Sequence, residues 1–99
     1  MSLCLDTLDV WRQSNILLLA PQDPPPALGR LVYALEQALL PFGLVLDKRE
    51  FRAHLTLSRD YRMAVPEAVT PPEFWLKTDH FVLYESHKGR YRALAQWPL

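Results

Sequence analysis

His54 and Thr56 stand two positions apart in Ala53-His54-Leu55-Thr56-Leu57-Ser58, a stretch that alternates apolar and polar residues. Alternation with a period of two is the pattern of a β-strand, whose successive side chains point to opposite faces. His54, Thr56 and Ser58 therefore share one face, and Ala53, Leu55 and Leu57 are expected to face the core. Two steps along a strand put the Cα atoms of His54 and Thr56 roughly 7 Å apart, close enough for an imidazole and a hydroxyl to address one small ligand. The imidazole moves a proton near neutral pH, and the hydroxyl can donate to a non-bridging phosphate oxygen. Lys48, Arg49, Arg52, Arg59 and Arg62 crowd the motif against Asp47, Glu50 and Asp60. Any of these arginines can fork onto a phosphate. The same pattern also fits any half-exposed antiparallel strand with one polar face, so the motif alone leaves both readings open.

The rest of the chain must position that strand. Leu3 to Val10 alternates as a strand, and Asn15 to Ala20 is a short apolar run of the kind buried on both faces, so a hairpin through Trp11 to Ser14 is expected. Asp23 is placed to cap a helix whose first turn holds a following proline. Leu28, Leu31, Val32, Leu35, Leu39 and Phe42 recur at three- and four-residue steps and form one apolar stripe, with Arg30, Glu36 and Gln37 off it. Pro41 and Gly43 stop the helix. After the charged connection from Asp47 to Arg52 and the His54 strand, residues 60 to 73 hold three prolines and read as a long loop. Glu73 to Ser86 and Arg90 to Trp97 read as strands around a turn at His87-Lys88-Gly89. The order ββαβββ predicts an α+β fold, an antiparallel sheet with one main helix on a face, in a single domain over residues 1–99.

Composition narrows the function classes. The 11 basic and 11 acidic residues balance, so no whole-protein field pulls the chain toward nucleic acid and any RNA must be gripped locally. Cys4 is the one cysteine, which rules out an intrachain disulfide and a Cys-based metal centre and points to a reducing compartment. The first ten residues lack a basic start and a continuous apolar run, and the longest apolar run, Ile16 to Ala20, is too short to span a bilayer. A cytoplasmic protein without a membrane is expected. Gly29, Gly43 and Gly89 are scattered and make no phosphate loop, and Asp79 and Glu85 are poorly spaced for a metal with the histidines, so neither cofactor nor metal is expected. His80 reads as a structural or surface residue and His87 as a solvated turn residue. Trp11, Trp75, Trp97, Tyr84 and Tyr91 are sheet-face residues or a base-stacking surface, Trp97 the least suited to stacking.

Phe51-Arg52-Ala53-His54-Leu55-Thr56-Leu57-Ser58-Arg59 resembles the second His-x-Thr signature of the bacterial 2'-5' RNA ligases, also called RNA 2',3'-cyclic phosphodiesterases, within the two-histidine phosphoesterases. Leu8 to Trp11 before Asn15 to Ala20, the helix entry Pro25 to Leu28, and Phe81 to Ser86 followed by Tyr91 to Leu99 resemble the same family in the same order. The resemblance implies one lobe, the C-terminal one, of a two-lobed fold in which each lobe gives a His-x-Thr to a shared cleft. It implies metal-independent opening of a 2',3'-cyclic phosphate on an RNA end or a cyclic nucleotide. His54 would be one acid/base residue and Thr56 a phosphate donor, with Arg59 at the family's basic position just after the motif. Arg52, from its place beside the motif, is expected as a second substrate-binding cation.

The chain departs from that pattern in carrying one motif. His80 is followed by Phe81-Val82 and His87 by Lys88-Gly89, so neither completes a second His-x-Thr. General acid and general base on opposite sides of a phosphate need two proton carriers. A fragment, a separately encoded N-terminal lobe, or a homodimer that sets two His54 residues face to face are the expected ways to account for the other, the last because closed twofold dimers are the commonest oligomers. A nucleotide-end binding module that performs no catalysis, or a remnant without function, is the competing expectation.

Overall fold

Two short strands, not one, carry the N-terminal alternation: β1 (Ser2–Leu5) and β2 (Thr7–Trp11). The computed structural model describes residues 1–44 and 50–99. Asp47, Lys48 and Arg49 of the charged connection thus lie outside the described residues. The break falls at Asp6, whose carboxylate accepts the backbone N–H of Gln22 at 2.8 Å and the Thr7 hydroxyl at 3.2 Å. Before it, β1 pairs antiparallel with β5 (Phe74–Lys77), and after it, β2 pairs with β3 (Ile16–Ala20). The expected strand from Glu73 to Ser86 is broken in the same way. The Thr78 hydroxyl donates to the carbonyl of His80 at 2.8 Å, and the Thr78 N–H donates to that of Met1 at 2.9 Å, ending β5 and starting β6 (His80–His87). Periodicity cannot register such breaks, because it persists while a strand changes partners.

The three ladders are β1–β5, β2–β3–β4 with β4 spanning Leu55–Ser58, and β6–β7 with β7 spanning Arg90–Pro98. All are antiparallel, as expected, but they form separate sheets and not one. The β6–β7 turn places Lys88 at φ 50° and Gly89 at φ 75°, the paired left-handed residues that a two-residue hairpin loop demands and that glycine adopts without steric cost. Asn15, at φ 53°, closes the β2–β3 turn.

One helix, α1 (Pro26–Leu39), follows β3. It begins three residues beyond Asp23: Pro25 holds the cap position, Pro26 the first helical position, and no side chain caps the end. Asp23 as N-cap is therefore corrected, the proline φ being already helical without it. A 3-10 turn over Leu40–Phe42 and Gly43 at φ 69°, whose N–H donates to the Leu40 carbonyl, end the helix where Pro41 and Gly43 predict. Leu28, Leu31 and Val32 are half-buried, whereas Leu35, Leu39 and Phe42 on the same stripe are exposed, Phe42 at 76%.

Among the described residues Leu5, Val10, Leu18 and Leu19 make up the buried core. The radius of gyration is 15.4 Å, against about 13 Å for a compact domain of this length. The β6–β7 hairpin makes no close backbone approach to any other described element, and α1 makes one only to the 3-10 turn that follows it. No described helix is long and apolar enough to cross a membrane.

Candidate functional site

Strand β4 is four residues long and lies at an edge of the three-stranded sheet, paired through Leu18 with Thr56 and Leu19 with Leu55. Residues directly opposite in a ladder share a face, so Thr56 stands on the face of Leu18, which is 0% exposed. Thr56 and Ser58 are accordingly half-buried, while Leu55 and Leu57 are 50% and 49% exposed. The expectation that Leu55 and Leu57 face the core is corrected: alternation holds, but the covered face at this edge is the polar one. Ala53 is half-buried as expected. A shift of register between Leu17 and Leu18 bends β4 beyond Thr56.

His54 precedes the first residue of β4, where no ladder holds its backbone, and two neighbours, Arg52 and Trp11, place it instead. Its Nδ1 lies 2.8 Å from the carbonyl oxygen of Arg52. A carbonyl only accepts, so Nδ1 carries the hydrogen and the lone pair of the neutral ring sits on Nε2. The imidazole packs on Trp11 of β2 with ring centroids 4.4 Å apart and planes at 53°. The Arg52 guanidinium carbon sits 4.6 Å from the centroid of the same indole. Stacking of this kind leaves the planar fork of N–H donors at its edge, the geometry that suits a phosphate.

His54, Arg52 and Trp11 line one open cavity of about 1020 Å³ with Arg12, Glu50 and Phe51. An adjoining cavity of about 750 Å³ runs between α1 and the sheet and shares Trp11, Phe51 and Arg52 with it. The loop after β4 is tied to the β2–β3 turn: Arg12 donates to the carbonyl of Met63 at 2.7 Å, and the Tyr61 N–H donates to that of Asn15 at 2.8 Å.

Of the expected site residues, the structure thus brings His54 and Arg52 together, with Thr56 two positions on. Arg59 is exposed just past the strand, and the Ser58 hydroxyl turns to its carbonyl at 3.4 Å. Arg62 is paired with Asp60 at 2.8 Å. His80 holds the carboxylate of Asp79 through Nδ1 at 2.7 Å, and this hydrogen bond, then the His80 charge, pulls the Asp79 pKa below the usual carboxylate range. Trp97 stacks on Phe81 with centroids 5.2 Å apart, Tyr84 meets Tyr91 edge-on, and Trp75 is exposed with its indole N–H on Glu73. Among the described residues no group of three or more His, Cys, Asp or Glu is placed to hold a metal ion. Trp11 is the residue that sequence reasoning missed as a neighbour of His54. No spacing signals it, since only the folding of β2, β3 and β4 into one sheet brings the two together.

No family model matches the chain. The curated RNA 2',3'-cyclic phosphodiesterase of Escherichia coli (strain K12) is 33% identical over 104 residues, an alignment that takes in 99% of this chain and 58% of that protein. A crystal structure of a phosphoesterase superposes on all of the chain with a TM-score of 0.81 at 31% identity, covering 59% of its own length. E. coli LigT complexed with 3'-AMP gives the same values, and LigT complexed with NADP+ gives a TM-score of 0.78 at 30% identity. The chain therefore spans a little under three fifths of the relatives it matches.

Proposed function

The chain belongs to the RNA 2',3'-cyclic phosphodiesterase family of two-histidine phosphoesterases, and from that membership we propose that it supplies one half of a phosphodiesterase site. The substrate is a 2',3'-cyclic phosphate, on an RNA end or a free cyclic nucleotide. The observation that carries the reading is the hydrogen bond from His54 Nδ1 to the Arg52 carbonyl, which leaves Nε2 as the proton-transferring atom.

Chemically, a water oxygen adds to phosphorus while the bond from phosphorus to the ribose O3' breaks, giving a 2'-phosphate and a 3'-hydroxyl. One imidazole takes the proton of the water and another protonates the departing oxygen. His54 performs one of these transfers without a metal. The Thr56 hydroxyl donates to a non-bridging oxygen, and Arg52 and Arg59 neutralise the phosphate charge. That LigT has been crystallised with 3'-AMP supports a nucleotide phosphate as the ligand class here.

The second imidazole comes from a second copy of the chain or from an N-terminal-type lobe, on the same polypeptide or on another. The exposed apolar residues of β4, β5 and the end of α1, and a hairpin without close backbone approach to any other described element, support a partner that covers them. The test is hydrolysis of a 2',3'-cyclic nucleotide by the purified chain in EDTA, with its mass read by light scattering. Turnover from a dimer, lost in His54→Ala, is the expected result. A folded chain without turnover that still binds nucleotide through its arginines would make it a binding module.

A further inference from the structure

Trp11 touches both groups that the proposed chemistry asks to act on one phosphate. The His54 ring lies 4.4 Å from its centroid and the Arg52 guanidinium 4.6 Å. Neither group is held firmly otherwise. His54 and Arg52 are exposed and lie outside β4, in a stretch without ladder bonds. The Nδ1 hydrogen bond to Arg52 constrains one edge of the imidazole and leaves the ring free to tilt about it. Trp11, by contrast, is half-buried and anchored in the β2–β3 ladder opposite Ile16.

We propose that Trp11 is a positioning residue of the phosphate site: its indole holds the His54 imidazole and the Arg52 guanidinium at one spacing, so that both reach the same phosphate. This rests on the phosphodiesterase reading above. An indole attracts a guanidinium and a protonated imidazole through the negative face of its π-system, so the hold strengthens on a charged ring.

The test uses the full chain with 15N-labelled histidine, reading the His54 tautomer by NMR and the affinity for inorganic phosphate by titration. In the native chain a single Nδ1–H tautomer is expected. Trp11→Phe keeps it, while Trp11→Leu mixes the tautomers and weakens phosphate binding about tenfold. In an Arg52→Gln background the Trp11→Leu loss shrinks, because part of it acts through Arg52. Should Trp11→Leu not fold, fluorinated tryptophans at position 11, in a Trp75→Phe/Trp97→Phe chain, drain the π-face at nearly constant shape, and phosphate affinity falls with each added fluorine. Unchanged affinity and tautomer in Trp11→Leu, or strictly additive losses with Arg52→Gln, overturn the proposal, as does an affinity indifferent to fluorination. A native chain that binds no phosphate yet shows a Trp11-dependent tautomer sinks the functional reading alone and leaves the His54 contact standing.

Discussion

The carbonyl oxygen of Arg52 and Nδ1 of His54 lie 2.8 Å apart, so the residue proposed as a phosphate-binding cation also sets, through its backbone, which ring nitrogen carries the proton. The histidine then needs no buried carboxylate to fix its tautomer. Its partner is part of the chain that turns into β4, and it survives any substitution of the Arg52 side chain.

Thr56 is two residues further on, half-buried on the face of Leu18. Thr56→Val removes the hydroxyl with almost no change of shape, so kcat/KM for a 2',3'-cyclic nucleotide should fall about 100-fold. Thr56→Ser should keep most of it. Equal losses in both variants would point to packing and not to donation.

Leu18 is the most deeply buried of the described residues, at 0% exposure, and lies opposite Thr56. Leu18→Ala should cost about 2–5 kcal/mol in urea unfolding, a large share of what so small a core can provide. Leu57→Ala, on the uncovered face of the neighbouring strand β4, should cost under about 1 kcal/mol. Similar costs at both positions would mean that another molecule covers Leu57 in solution.

Asp79 accepts the His80 hydrogen bond, which lowers its pKa in the folded chain. A carboxyl with a depressed folded pKa contributes stability above its unfolded pKa and loses it as pH falls through the folded one. The Tm difference between the native chain and Asp79→Asn should therefore be largest at neutral pH and close on acidification below about pH 4. Both groups are exposed, so the difference should be small at every pH. A gap that widens in acid contradicts the assignment.

Cys4 has its thiol pKa pushed up, first by desolvation and then by the carboxylates of Asp6 and Glu73. The thiolate is the reactive form, so alkylation by iodoacetamide at mildly alkaline pH should be several-fold slower in the folded chain than in urea. Equal rates would mean that the β1–β5 ladder, in which Cys4 faces Trp75, opens readily.

Local chemistry in the chain was enough to put Thr56 and Ser58 on one face of β4, to end the helix at Pro41 and Gly43, and to build the β6–β7 turn on Lys88-Gly89. Each of these depends on residues within a few positions of one another, through the two-residue period of a strand or a left-handed backbone that glycine adopts freely. What local pattern could not supply was partnership. Asp6 and Thr78 divide two apparently continuous strands because their side chains hold backbone groups at points where the ladders change partner. Leu55 and Leu57 alternate correctly yet stand exposed, because which face of a strand is covered depends on what packs against it. Trp11 meets His54 because β2, β3 and β4 share a sheet, a contact between distant parts of the chain that forms only when the sheet closes.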